Sequence, residues 1–145
     1  MIDTAVRTIC VAVVGFFAIW LGFKFTIAPP LLVAFMEFSR PKNKARNKPV
    51  KTVLLITVCA FVGAVSRYVL NMTLGLPSTV GALTPTAIML VIVYCTKMYI
   101  PPAGALTILG MIIPSESVLL YPLQILVGTA VIMLISRLLF MKRQN

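Results

Sequence analysis

Ile100-Pro101-Pro102-Ala103-Gly104-Ala105-Leu106-Thr107-Ile108-Leu109 follows one long apolar run and leads toward another. Proline fixes φ and lacks an N–H, so the tandem pair must end the helix before it and can occupy the first turn of a new one. Pro29-Pro30 stands in the same relation to its own surroundings, ahead of Leu31 to Phe38. At a rise of 1.5 Å per residue, each following segment covers only about half of a ~30 Å hydrocarbon core. Backbone groups freed at membrane depth are tolerated only where protein buries them or a cavity receives them, and transporters hold substrates at such half-helix ends.

Four longer apolar runs surround these breaks, at residues 8–27, 52–70, 80–99 and 119–140. With 60% of 145 residues hydrophobic and a mean hydropathy of +1.04, the chain reads as an all-α polytopic membrane protein. The expected architecture is one membrane domain over 1–145, with four long transmembrane helices and two short proline-broken half-helices. The first run follows a weakly basic start with no convincing cleavage signature, so it reads as a retained helix.

The two parts of the chain share an order of span, double proline, short helix and span ending in Ser-Arg. The double prolines lie 72 residues apart, and Ser66-Arg67 precedes Ser136-Arg137 by 70. A two-fold internal repeat is therefore expected, with halves 8–70 and 80–140.

The net charge is +10, and six of the thirteen Lys/Arg fall between Arg40 and Lys51 with no acid among them. This 40–51 loop reads as cytoplasmic by the positive-inside rule, and it also suits anionic lipid head groups. Nucleic acid fits poorly, because the segment is pinned between spans and has no aromatic platform. The expected location is a bacterial inner membrane. Topology divides on the short helices. Re-entrant short helices would place both termini opposite the basic loop, whereas crossing ones would return Arg137, Lys142 and Arg143 to the loop's side and invert the halves.

An enzyme is disfavoured. There is no histidine, and Asp3, Glu37 and Glu116 are the only carboxylates, so Ser-His-Asp, Cys-His and ordinary zinc arrangements are excluded. Cys10, Cys59 and Cys95 are widely spaced within apolar sequence and suggest neither a disulfide nor a metal site. No cofactor is expected.

The start of the second short helix is the candidate binding site. Behind Pro101 and Pro102, the N–H groups of Ala103, Gly104 and Ala105 are expected to lack intrahelical acceptors and to face an anion with the positive end of the helix dipole. Pro29 and Pro30 offer the counterpart, crowded by Leu31 and Leu32. Thr107, Thr84 and Thr86 could add hydroxyl donors. Arg67, Arg137 and Lys97 are candidate pathway charges or interfacial anchors. A packing role is the competing reading, in which small residues let helices approach closely, as Ala18/Gly22 and Ala60/Ala64 could.

The run Ile100-Pro101-Pro102-Ala103-Gly104-Ala105, together with Pro41-Lys42-Asn43 after the first short helix, resembles the HPP family of small integral membrane proteins. That family is named for a His-Pro-Pro motif continuing as Ala-Gly-Ala, and it carries a Pro-Arg-Asn-like stretch upstream. Here Ile100 stands for the motif histidine and Lys42 for the arginine. The resemblance implies a transporter, since plant members are associated with nitrite movement across the plastid envelope. The resulting expectation is a homo-oligomeric permease for a small inorganic anion such as nitrite. A non-transporting accessory or scaffold subunit is the alternative, and a carrier for a cation or organic solute using Glu37 and Glu116 is a third.

Overall fold

A computed structural model describes residues 28–39 and 44–140, together with helical Ala5, Val6, Thr8, Ile9, Cys10, Ala12, Val13 and Phe16. Most of the 8–27 span, the Pro41-Lys42-Asn43 stretch and Lys142-Arg143 lie outside the described residues. Among those described, every regular element is helical.

Helix α1 (Ala28–Ser39) carries Pro29 and Pro30 in its first turn, where their missing N–H groups are tolerated. A short turn, α2 (Lys44–Asn47), interrupts the basic loop before α3 (Pro49–Ser66), which again opens on proline. The Thr52 hydroxyl donates to the Ala45 carbonyl at 2.8 Å and the Lys48 carbonyl at 3.0 Å, tying the loop to that start. Helix α3 continues without a break into a π-helical segment, Arg67–Thr73. After the turn at Gly75, whose φ is +65°, come α4 (Ser78–Gly81), α5 (Leu83–Thr96), α6 (Pro101–Ile112), a 3₁₀ turn at Ser115–Ser117 and α7 (Tyr121–Phe140).

Among the described residues, three helices are long and apolar enough to cross a membrane: Pro49–Thr73, Thr79–Thr96 and Tyr121–Leu138. Helices α3, α6 and α7 form the centre, with α1 against α7 and α6 and with α5 on the outside of α6 and α3. Their shared core holds Phe35 and Phe38 of α1, Ile56 and Cys59 of α3, Leu106 of α6, and Tyr121 and Ile125 of α7. Large apolar side chains such as Phe61, Leu90, Val91 and Leu134 are exposed. That distribution suits a bundle whose surroundings are as apolar as its interior.

Contacts at known heights fix the helix directions. Thr107 meets Cys59 and Met111 meets Arg67, so α6 runs parallel to α3. Leu31 lies against Gly128 and Phe38 against Ser136, so α1 runs parallel to α7. Phe61, Ala64 and Tyr68 near the end of α3 share a groove with Val118, Leu119 and Pro122 at the start of α7, so these two are antiparallel. The basic segment and Lys97 therefore occupy one end of the bundle, and α6 travels from that end to the other. The second short helix connects the two ends instead of turning back, and α7 finishes beside the basic segment.

Candidate functional site

Helix α6 is the element the sequence singles out, and tertiary contacts hold it along its length. Ile100 precedes it in extended conformation, and Pro101 and Pro102 form its first turn. Gly63 of α3 sits so close to Thr107 that an added β-carbon would overlap the Thr107 carbonyl oxygen. Gly110 returns the approach, its β-carbon position being 3.0 Å from the Ala64 nitrogen and the Gly63 carbonyl carbon. Such backbone proximity is the use that membrane interfaces make of small residues, and Ala60 and Ala64 are buried on the same helix. The Thr107 hydroxyl reaches the Cys59 carbonyl at 3.2 Å and its own Ala103 carbonyl at 2.9 Å. From the far side, the buried Tyr121 hydroxyl donates to the Leu106 carbonyl at 2.6 Å.

These contacts correct the expected donor cluster. A helix entered through Ile100 leaves only its first few N–H groups without intrahelical acceptors, and two of those positions are the prolines. Of the other two, Ile100 and Ala103, the latter donates to the Ile100 carbonyl at 3.0 Å. Gly104 and Ala105 lie far enough into α6 for ordinary helical pairing with the carbonyls of Ile100 and Pro101. The position is also not at mid-height, because Ile100 lines a cavity with Lys48 and Lys51 at the basic end. Pro102, Ala103 and Thr107 are buried, Gly104 is half-buried, and Pro101 and Ala105 are exposed.

The other threonines do not gather at Thr107. Thr84 is exposed, and half-buried Thr86 donates to the Ala82 carbonyl of its own helix at 2.7 Å. Pro29 and Pro30 belong to α1, which packs against α7 and α6. Glu37 sits near the basic end of α1, whereas Glu116 is exposed in the 3₁₀ turn at the other end, so the two do not form a carboxylate pair. No group of three metal-binding side chains occurs among the described residues.

Arg67, Lys97 and Arg137 are distributed between the two ends. Arg67 opens the π-helical segment, and its Nη1 donates to the Met111 carbonyl, one of the last in α6. Its Nε is buried with no acceptor among the described residues. A cation there complements both the free carbonyls and the negative end of the α6 dipole. Asn71, one π turn further on, packs its Oδ1 against Gly81. Arg67 is thus the one cation at this end among the described residues. Lys97 and Arg137 lie at the other, where Ser136 donates to the Phe38 carbonyl at the end of α1 at 3.0 Å. Lys97 ends α5 in the left-handed region at φ 52° and shares the cavity wall with Lys48 and Lys51.

Three features of the site carry no signal in the sequence. Gly63 and Gly110 lie in different helices, and no spacing rule pairs them. The 610 Å³ lysine cavity joins segments far apart in the chain. The Arg67–Met111 link depends on a π turn with no signature in Ser66-Arg67-Tyr68. Comparison with protein-family models, curated proteins and solved structures finds no match to this chain.

Proposed function

We propose that this chain is a permease for a small inorganic anion such as nitrite, in keeping with its HPP-like Pro-Pro-Ala-Gly-Ala run. The observation that carries the reading is the buried Arg67 Nε, a cationic donor unspent by the Met111 carbonyl that takes its Nη1. Arg67 is half-buried at the end of the bundle opposite the basic segment, and an Arg there with a spare N–H suits an acceptor of negative charge at one mouth of a solute path. Lys97 and Arg137, at the opposite end, supply the field that would draw anions to the basic side.

In this reading the molecule has four long and two short helices in two inverted halves. The opposed directions of α1 and α6, and of α3 and α7, support that arrangement. So does a parallel in bonding: Arg67 reaches the carbonyl end of α6, while Ser136 of the other Ser-Arg pair reaches that of α1. The 40–51 segment faces the cytoplasm of a bacterial inner membrane. The α6 face formed by Pro101, Ala105, Ile108 and Ile112 is exposed, and a second copy completing the path would cover it.

A second reading is favoured by the tight Gly63–Thr107 contact and by the pairing of the Ala103 N–H, which are what a packing element needs. It makes the chain a non-transporting scaffold subunit. Proteoliposome uptake of nitrite, nitrate and chloride decides. The permease reading expects flux above empty vesicles and an about ten- to hundred-fold loss in Arg67→Gln, from removal of a charged hydrogen bond. Absence of flux for all three ions, in protein shown to be folded, would leave the scaffold reading.

A further inference from the structure

The cavity at the basic end is built by two segments that the sequence keeps apart. Ala45, Asn47, Lys48 and Lys51 come from the α2–α3 region, and Thr96 through Ile100 come from the α5–α6 connection. Its volume is about 610 Å³, and among the described residues none that lines it is acidic. Three exposed lysines line one hollow, and an anion there would offset their mutual repulsion.

The backbone at Lys97 adds a second indication. Lys97 is the one non-glycine residue with positive φ among the described residues, at the position after a helix that glycine ordinarily takes. A strained lysine where glycine would serve the turn better points to a use for the ammonium group.

The cavity also does not end at the lysines. Lys51, Thr96 and Met98 border a neighbouring groove of about 270 Å³ that descends between α3 and α5 past Leu54, Leu55, Val58 and Ile92. A basic hollow at the end of apolar spans, beside an apolar groove with which it shares Lys51, Thr96 and Met98, suits a lipid with its head in one and a chain in the other. Tyr99, exposed at the rim, is of the type that settles at head-group depth.

We infer that an anionic phospholipid binds here, its phosphate among Lys48, Lys51 and Lys97 and one acyl chain in the groove between α3 and α5. The groove distinguishes this occupant from free phosphate, which has no use for Leu54 or Val58. The site stands apart from the transport reading, since lipid occupancy is read without flux.

Native mass spectrometry of the full chain, titrated in detergent with phosphatidylglycerol, phosphatidylcholine or inorganic phosphate, tests it. The expected result is preferential retention of phosphatidylglycerol, reduced about five-fold in Lys97→Gly, the effect of one lysine on an anionic lipid surface. Lys97→Gly suits the local backbone, so a lost fold does not confuse the outcome. Val58→Trp, which fills the groove and leaves every charge in place, should also lower lipid retention. Equal retention of the two lipids, no change in Lys97→Gly, or displacement of phosphatidylglycerol by inorganic phosphate at equal concentration would each overturn the inference.

Discussion

Gly63 and Thr107 meet backbone to backbone, and this single approach sets how closely the second short helix lies on α3. The neighbour that a side chain at residue 63 would strike is a carbonyl oxygen in a packed helix, which cannot rotate away.

Gly63→Ala should therefore destabilise the fold by about 1–3 kcal/mol, the usual cost of overpacking. Gly104→Ala should do the opposite. Its β-carbon would meet only the flexible Met89 tip, at 3.1 Å, and alanine is favoured in a helix by up to about 1 kcal/mol. Unfolding in mixed micelles with increasing dodecyl sulfate would rank the pair, and equal losses would contradict the clash expected at residue 63.

Thr107→Val keeps the shape of the side chain and removes a hydroxyl already directed at the Cys59 and Ala103 carbonyls. Its cost should be near the ~0.6 kcal/mol average for interhelical hydrogen bonds in membranes. Nitrite flux should stay at the parent level. A loss matching that of Arg67→Gln would mean that this hydroxyl reaches the solute.

Tyr121→Phe removes the link from α7 to the Leu106 carbonyl, which is fully buried at its tyrosine end. The expected loss is about 0.6 kcal/mol and at most ~1.7 kcal/mol. Thermal unfolding in detergent would measure it, and no change would show that the hydroxyl carries no part of the α6–α7 packing.

Lys97→Gly should raise stability by about 1 kcal/mol, because the left-handed backbone is strained for lysine and free for glycine. The same denaturation experiment reads this gain in the absence of lipid. A loss of stability would mean that the lysine side chain supports the α5–α6 turn directly.

Composition and proline placement made much of the architecture readable. Apolar runs were enough to locate α3, α5 and α7 to within a few residues, since burying a helix in lipid demands length and hydrophobicity and little else. Pro101 and Pro102 mark a helix start because no other residue combines a helical φ with a missing donor. The boundary between 52–70 and its connector was less legible. Arg67–Thr73 stays helical in π form, and nothing in its side chains signals the wider turn.

The site was legible only as residue types. Small residues after a double proline can mean either an open donor cluster or a close helix contact, and the two differ in where neighbouring backbones lie. Counting from Ile100 leaves few free donors: the prolines occupy two of the unpaired positions, and Ala103 turns back to the Ile100 carbonyl.

Hydropathy along one chain thus accounts for the described long helices and their order, because each helix satisfies its own backbone and answers mainly to the lipid around it. Which helix touches which was settled by packing in three dimensions: Gly63 on Thr107, Arg67 at the end of α6, and Lys97 across from Lys48 and Lys51. Those contacts depend on shape at residues far apart in the chain, and no local pattern encodes them.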